Sequence, residues 1–455
     1  MNAPLRGYSL GFIQSMLTEQ SGKTSGWFGE LALNSVFQPA FSLAQKHAVG
    51  FEASLRALDP KGKPVSPEKL FGPVQNYAET AMLDLLATTI HVCNFFSRQR
   101  AHGLLFINLH PEVFLDSGNS VQYLGALFSH YGVAPNSVMI DIPASALAQE
   151  RLDDAIADYR NLGCLVSVDG FGVDNADLDS IWHAAPAMVK IGRSVVMQAT
   201  REKRVRQALS RAVSLLHEMG TLALMEGLES RDQALLAIDV DADFGGGHYF
   251  GPDLESLDSF SHPHDLFKKI WSSYREQVIS TRPDDHSTRV PLENEALRSS
   301  QIKSLRKASP EDIAHYRQQR RPYLAAIQDI AAQIKSGAAL ESSCNTFLGL
   351  AGAIRCFQLD ARGTQTGGDV PAVQPPPRQR MDFHSLAAQN DGDWTRKDFF
   401  RRAISEPEVA QATRQYCSLT GYLQCVTFSM ATKLDNGRLV VVCGDIDWSA
   451  HAHGN

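Results

Sequence analysis

The stretch LVSVDGFGVDNADLDSIWHAAPAMVKIGRS, residues 165–194, holds two short apolar runs, at 165–169 and 188–191. Each run carries a charged side chain near its end, Asp169 in the first and Lys190 in the second. Short runs rich in Val, Ile and Leu are typical of strands buried on both faces of a parallel sheet. Because a buried charge is costly unless it is paired or binds a metal, this stretch predicts buried strands that end at a functional site.

Six further runs of the same kind lie on either side of this stretch, at 36–40, 49–58, 104–109, 138–142, 222–226 and 244–250. Helical patterns separate many of them, for example at 78–98, 153–162 and 195–219. Strands that alternate with helices over residues 28–262 predict an α/β fold, a (β/α)8 TIM-like barrel. An open doubly wound sheet is the alternative, but no glycine-rich phosphate-binding turn follows an early strand.

The rest of the chain divides by composition into three parts. Residues 1–27 are a weakly patterned N-terminal lead-in. Residues 263–340 contain a polar turn at 282–285 and two charged, helix-favouring segments, 292–307 and 310–336. This pattern predicts a helical connector, which could pair with its copy in a dimer.

Residues 341–455 have the pattern of a small α+β domain. Strands are predicted at 353–359, 421–434 and 438–445, a helix at 396–404 and a Gly/Pro-rich loop at 363–378. The tripeptide Asp435-Asn436-Gly437 between the last two strands is a strong hairpin signal.

Composition limits the class of protein. The chain has 455 residues and a net charge of −7, which provides no broad footprint for a nucleic acid polymer or an anionic membrane. It has seven cysteines without metal-binding spacing, so buried thiols in a reducing compartment are expected. We recognise neither a signal peptide nor a membrane span, and therefore expect a cytoplasmic protein.

Six polar side chains lie at strand ends that a barrel brings together on its C-terminal face. They are Glu52, Asn108, Asp141, Asp169, Lys190 and Glu226. Each alone could simply cap a turn or a helix, but the joint pattern indicates a site. The side-chain oxygen atoms of Glu52, Asn108, Asp141 and Asp169 suit a hard cation such as Mg²⁺, Mn²⁺ or Ca²⁺. Lys190 suits a phosphate oxygen or a metal-bound water, and Glu226 suits proton transfer or a further metal contact.

The chain resembles the EAL family of cyclic-di-GMP phosphodiesterases over about residues 30–255. The motifs that carry the resemblance follow in family order: FQPAFSL, GFEASLRA, FINL, MIDIPAS, VDGFG, VKIGRS, MEGLES and GGHYFGPDL. The resemblance implies a barrel that binds cyclic-di-GMP, and in active members two metal ions and an activated water open the ring to pGpG.

The same resemblance assigns roles to single residues. It implies that Glu52, Asn108, Asp141 and Asp169 are ligands of Mg²⁺ or Mn²⁺, if the metal site still functions, and that Lys190 and Glu226 are catalytic. It places Gln38 and Arg56 near the nucleotide. Arg56 is the natural phosphate clamp, because the guanidinium fork matches two oxygens.

The chain also departs from the family pattern. The departures are Ser54 for the leucine of Glu-Ala-Leu, Asp141 for a longer glutamate, Pro143-Ala144 for Thr-Glu, Gly170 for a second aspartate, VDNAD at 173–177 for Thr-Gly-Tyr-Ser-Ser, Gly192 for an acidic residue, Gly246 for glutamine, and FGPDL without its arginine.

The loss at Gly170 bears most on activity, because each ion of a two-metal site needs its own share of carboxylate. Its loss, with that of the loop glutamate at 144, predicts a barrier higher by roughly 4–7 kcal/mol, unless Asp174 or Asp177 replaces the missing group. Three hypotheses follow: a cyclic-di-GMP-binding regulatory module with little or no hydrolysis, an active phosphodiesterase that produces pGpG, and a scaffold that binds no nucleotide.

The C-terminal domain resembles PAS/Cache-like sensor domains through WTRKDFFRRAISEPEV, TRQYCSLTGYLQCVTFSMA and VVVCGDIDW. The resemblance implies a pocket between sheet and helix, for which the candidate lining residues are Trp394, Arg396, Arg414 and Tyr416. Equally, the two aromatic residues could belong to the core and the arginines to a solvated face. A homodimer and a protein partner are further expectations.

Overall fold

The computed structural model describes residues 9–66, 69–70, 76–97, 103–149, 151–172, 178–280, 310–376, 392–418 and 425–451. The chain forms two compact units, the first chiefly up to His264 and the second chiefly from Asp265. The predicted helix at 292–307, the turn at 282–285 and the residues Asp174 and Asp177 lie outside the described residues. None of the helices in the described ranges is long and apolar enough to cross a membrane.

The first unit is built on one sheet of eleven strands. They are β1 (Leu17–Gln20), β2 (Lys23–Phe28), β3 (Leu31–Ser42), β4 (Ala48–Leu58), β5 (Pro64–Val65), β6 (Leu104–Asn108), β7 (Val138–Pro143), β8 (Leu165–Phe171), β9 (Met188–Ile191), β10 (Leu222–Met225) and β11 (Phe244–Gly246). Strand β3 pairs with both β4 and β11, so eight of the strands close into a ring. The predicted barrel of eight strands and surrounding helices is confirmed.

The first barrel strand departs from a uniform parallel order. Strand β3 runs antiparallel to β4 and to β11, whereas β4 and β6–β11 run parallel to one another. Only residues 43–47 separate β3 from β4, and a parallel crossover needs a dozen residues or more. The connection is therefore a hairpin, and the helices that alternate with barrel strands begin after the second of those strands.

Nine α-helices whose bounds lie in the described residues accompany the barrel, besides short 3-10 turns. They are α1 (Leu10–Gln14), α2 (Tyr77–Phe96), α3 (Pro111–Leu115), α4 (Ser117–Tyr131), α5 (Leu152–Leu162), α6 (Leu178–Ala184), α7 (Arg193–Arg201), α8 (Lys203–Glu218) and α9 (Arg231–Asp239). Local sequence sets several ends: Asn76 caps α2 by accepting from the Glu79 N–H at 3.0 Å, and Ser230 forms a capping box with Gln233.

The single helix predicted at 195–219 is wrong, because Glu202 interrupts it with extended backbone (φ −117°, ψ 116°). The Arg206 guanidinium donates to the carbonyl groups of Ala199 and Thr200 at 3.4 and 3.2 Å. These bonds satisfy carbonyls that the end of α7 leaves without helical partners.

The lead-in contains more regular structure than its weak pattern predicts. Strands β1 and β2 form a hairpin, and β2 continues the sheet beside β3. The Asn94 side chain on α2 accepts from the Thr24 N–H at 2.8 Å and donates to the Thr24 carbonyl at 2.7 Å. The hairpin is thereby attached to the longest helix of the barrel unit.

The second unit is an α+β domain with a five-stranded antiparallel sheet. Its strands are β12 (Ala353–Asp360), β13 (Val370–Pro371), β14 (Gln411–Ala412), β15 (Cys425–Lys433) and β16 (Leu439–Asp447), in the order β13-β12-β16-β15-β14. Its helices are α10 (His264–Ser280), α11 (Pro310–Lys335), α12 (Leu340–Ser343), α13 (Asn345–Leu348) and α14 (Asp398–Ser405). The predicted hairpin between β15 and β16 is present, with Gly437 at φ +82°. The PAS/Cache assignment stays a prediction.

Helix α11 packs directly on this sheet. Its buried residues Ile327 and Ile330 belong to the same hydrophobic core as Phe428 and Val442. This half of the predicted connector therefore contributes to the core of the second unit. All seven cysteines lie in the described residues and are buried thiols, as predicted.

Candidate functional site

A buried ammonium group lies at the centre of the barrel's polar strand ends. Lys190 on β9 is 0% exposed. Its Nζ lies 2.7 Å from Asp141 Oδ2, 3.0 Å from Glu52 Oε2 and 3.2 Å from Glu226 Oε1. The structure thus brings four of the six predicted strand-end residues into direct contact.

Strand register explains this convergence. Asn108 pairs with Asp141 across β6 and β7, and Leu224 pairs with Lys190 across β9 and β10. Because parallel strands in register end at the same edge, their last side chains meet on one face. Asn108 joins the group by donating from Nδ2 to Glu52 Oε1 at 2.9 Å.

Ser167 is a member of the site that the sequence did not predict. Its hydroxyl donates to Asp141 Oδ1, the oxygen that Lys190 does not contact. The sequence does show a serine between Val166 and Val168 in an otherwise apolar strand. A single serine in a strand is too common to identify a site residue. The hydroxyl completes the surroundings of a fully buried carboxylate.

Burial and charge shift the protonation of the group. Burial raises the pKa of Asp141 to about 7, although Lys190 acts against it. Burial also raises the pKa of Glu226 well above its usual range. For Glu52, Lys190 and the Asn108 hydrogen bond outweigh burial and lower the pKa. Burial alone lowers the pKa of Lys190, but the surrounding carboxylates raise it well above its usual value. Burial and the shared ammonium therefore shift the carboxyl pKa values in opposite directions, upward for Asp141 and Glu226 and downward for Glu52.

A small cavity opens beside these side chains. It is lined by Gln38, Pro39, Ala40, Glu52, Phe106, Lys190, Leu224, Glu226 and Gly246. Its volume is about 10 Å³, which is close to the space of one water molecule. Gly246 stands where the family has a glutamine, so the cavity contains space that a longer side chain would fill.

The donor set can be tested against the predicted metal ions. Glu52, Asn108 and Asp141 offer the oxygen chemistry that hard cations prefer. However, the Lys190 ammonium already lies between the carboxylates, within hydrogen-bond distance of three of them. Within the described ranges, no three His, Cys, Asp or Glu side chains are placed so that they could hold an ion. In the described residues these carboxylates are therefore paired with an ammonium, and their oxygen atoms remain the donors that would hold a cation.

Asp169, the fourth predicted ligand, lies farther from the centre. It raises the pKa of Lys190 through space but is not one of its three ion-pair partners. The next residue, Gly170, has φ +81°, a backbone conformation that side chains with a Cβ rarely adopt. The position where the family has a second aspartate is therefore shaped for glycine.

Gln38 and Arg56, the residues predicted to lie near the nucleotide, converge on one carboxylate. Asp253 Oδ2 lies 2.7 Å from the Arg56 guanidinium, and Asp253 Oδ1 accepts from Gln38 Nε2 at 3.0 Å. His248 Nε2 is 3.5 Å from the same Oδ1. The sequence placed Asp253 in a motif that lacks its arginine but did not predict this contact.

The four predicted sensor-pocket residues lie in the second unit: Trp394, Arg396, Arg414 and Tyr416. Trp394 is buried, and its Nε1 donates to Gln365 Oε1 at 3.1 Å. The Tyr416 hydroxyl hydrogen-bonds Thr427 Oγ1 at 2.6 Å. Both arginines are half-buried. The two aromatic residues thus have polar partners inside the domain, and a sensor pocket stays a prediction.

A buried ion-pair network, also not predicted, adjoins Tyr416. Arg355 Nε lies 2.8 Å from Asp445 Oδ2, and its NH1 lies 2.6 Å from Asp369 Oδ2. Thr427 Oγ1 donates to Asp445 Oδ1 at 2.7 Å. The network connects the Tyr416 hydroxyl to the Arg355 guanidinium through hydrogen bonds.

Comparison with known proteins places the barrel. The family described as "EAL domain" matches residues 30–253. An uncharacterized protein of Azorhizobium caulinodans is 27% identical over 230 residues, which cover 48% of this chain and 31% of that protein. The cyclic di-GMP phosphodiesterase RocR of Pseudomonas aeruginosa is 26% identical over 159 residues, which cover 34% of this chain and 40% of RocR. The chain spans less than half the length of both relatives.

Among solved structures, the Bacillus subtilis YkuI protein, with an EAL domain and in complex with c-di-GMP and calcium, is 18% identical. The match covers 92% of this chain and 96% of that chain, with a TM-score of 0.47. The family match and the closed barrel together show that residues 30–253 of this chain form an EAL domain.

Proposed function

We propose that the barrel binds cyclic-di-GMP and acts as a regulatory module with little or no hydrolysis. The observation that carries the proposal is Gly170, which has φ +81° where the family has a second metal-binding carboxylate. The ligand follows from the EAL domain itself and from relatives named cyclic di-GMP phosphodiesterases. Gln38 and Arg56 supply an amide and a guanidinium for the phosphodiester.

The raised carboxyl pKa values also favour a module with little hydrolysis. A general base must be unprotonated at the working pH, and burial raises the pKa of Glu226 well above its usual range. Asp141 shares the tendency to hold a proton, because burial raises its pKa to about 7. Binding of a nucleotide at Arg56 does not require that these groups ionise.

An active metal-dependent phosphodiesterase that produces pGpG is the second candidate. It is favoured by the contact of Glu52, Lys190 and Glu226 in one cluster, since the resemblance gives these three residues metal-binding and catalytic roles. In that case Mg²⁺ or Mn²⁺ has to displace the ammonium from the carboxylates. A scaffold that binds no nucleotide is the third.

One experiment separates the candidates. Purified protein is titrated with cyclic-di-GMP by calorimetry, with Mg²⁺, with Mn²⁺ and with neither, and the same mixtures are analysed for pGpG by chromatography. We expect binding without pGpG. Prompt formation of pGpG contradicts the proposal in favour of the enzyme, and absence of binding supports the scaffold.

A pair of arginine variants tests the binding surface. Arg56→Ala should weaken binding by about 1.5–3 kcal/mol, the range for hydrogen bonds to charged groups. Arg211→Ala, which removes an exposed arginine from α8, is the matched control and should leave binding unchanged. If both substitutions changed the affinity for cyclic-di-GMP equally, Arg56 would not be a specific contact of the nucleotide.

The proposal also covers the cellular location, the oligomeric state and the partner of the protein. We place it in the cytoplasm, as a homodimer whose C-terminal unit senses a signal through a pocket near Trp394, Arg396, Arg414 and Tyr416 and whose output passes to a protein partner. Light scattering tests the dimer. A dimer that persists when residues 310–455 are deleted would argue against a role of this part in pairing.

A further inference from the structure

Asp253 occupies both side chains that we assign to the nucleotide. One of its oxygens pairs with the Arg56 guanidinium at 2.7 Å, and the other accepts from the Gln38 amide at 3.0 Å. The Arg56 side chain is 49% exposed and that of Asp253 is 25% exposed, so a ligand from solvent can reach the pair.

Backbone hydrogen bonds of the neighbouring residues place Asp253 beside Gln38. The Phe37 N–H donates to the Leu254 carbonyl at 2.8 Å, and the Leu254 N–H donates to the Phe37 carbonyl at 2.9 Å. In an antiparallel bridge between residues 37 and 254, residue 253 lies beside residue 38. The contact of Asp253 with Gln38 therefore follows from register on the barrel rim.

We propose that Asp253 is a built-in competitor for the phosphodiester of the ligand. Its two oxygens hold the guanidinium and the amide in the way that two non-bridging phosphate oxygens do, and both groups carry one negative charge. The ligand binds when Asp253 releases Arg56. This inference rests on the proposed binding of cyclic-di-GMP and adds that the affinity is held down by the chain itself.

The opposite role makes the opposite prediction. If Asp253 only positions Arg56 for the ligand, its neutralisation weakens binding, because the guanidinium loses its orientation. If Asp253 competes, its neutralisation strengthens binding. The substitution removes a negative charge that repels the phosphodiester and weakens the ion pair that occupies Arg56. The sign of the change in affinity separates the two roles.

The experiment is a calorimetric titration of the full chain with cyclic-di-GMP at fixed salt. Asp253→Asn keeps the shape of the side chain and removes the charge. Glu255→Gln is the matched control, because it removes the same charge two residues later in the same segment. Glu255 is 81% exposed and contacts Lys23 at 3.5 Å. We expect Asp253→Asn to raise affinity about three- to tenfold, and Glu255→Gln to change it less than about twofold.

Each result of the titration supports or overturns the competition by Asp253. Equal or weaker binding by Asp253→Asn, in a protein that melts like the wild type, overturns the competition and leaves the proposed function standing. Asp253→Ser, which is neutral and shorter, gives the same reading if the asparagine variant fails to fold. Absence of cyclic-di-GMP binding in the wild type and in both variants overturns the proposed function and this inference with it.

Discussion

Removal of the buried ammonium is the sharpest test of the site. Lys190→Met keeps an unbranched apolar stem and deletes the charge that lies 2.7, 3.0 and 3.2 Å from three carboxylates. Loss of one partner from a buried ion pair typically costs about 3–5 kcal/mol, because the remaining charge is left uncompensated. We expect a loss of this size in the free energy of unfolding at pH 8.

The cost should depend on pH, with a sign that follows from linkage. Without Lys190 the pKa values of Asp141 and Glu226, already raised by burial, rise further in the folded protein. The folded state then binds more protons than the unfolded state above the ordinary carboxyl pKa. Stability is therefore retained at low pH and lost as the pH rises through the folded values. The variant should be closer to the wild type at pH 5 than at pH 8.

Urea unfolding followed by circular dichroism at pH 5, 6.5 and 8 measures the effect. Lys61→Met, at an exposed turn between β4 and β5, is the control for the loss of a lysine and should change stability by less than about 0.5 kcal/mol. A Lys190→Met protein as stable as the wild type at pH 8, or one with the same deficit at all three pH values, would refute the ion-pair account.

Three further substitutions test other parts of the structure by the same unfolding assay. Burial raises the pKa of Asp84 to about 7, so the charged side chain destabilises the folded wild type as the pH rises above the pKa of the unfolded chain. The Asp84→Asn protein should therefore be more stable than the wild type at pH 8 but not at pH 4. A difference in stability that does not change with pH would contradict this. Arg355→Met leaves Asp445 and Asp369 without their cation and should cost about 3–5 kcal/mol, whereas a loss below about 1 kcal/mol would show that the network is not coupled. Gly170→Ala should cost about 1–2 kcal/mol because of its φ of +81°, and an unchanged midpoint would show that the backbone adapts freely.

The barrel was predictable because its strands are short apolar runs with polar ends. Glu52, Asp141 and Lys190 stood out as charges in such runs, and strand register then brought them into contact. The antiparallel first strand was not predicted, although the connection between β3 and β4 is too short for a crossover. The general alternation of strands and helices led to a (β/α)8 barrel without this exception.

Other features depend on contacts between distant parts of the chain. Asp253 reaches Gln38 through the backbone bridge of Phe37 and Leu254, which no local pattern encodes. Hairpin strand β2 contains Gly26, where an added Cβ would lie 2.9 Å from Ile90 Cδ1 on α2. Glycine weakens the strand signal, yet it suits the close approach of the Ile90 side chain.

The positive charge inside the barrel belongs to a side chain, and this affects whether the protein needs metal ions in order to fold. Lys190 is part of the polypeptide, whereas a metal ion has to be acquired and retained. A barrel whose acidic interior is balanced covalently should mature during synthesis without drawing on manganese or magnesium. Unfolding midpoints with and without EDTA should therefore coincide, and a lower midpoint in EDTA would show that an ion contributes. We therefore expect the folded barrel to keep its shape when metal ions are scarce.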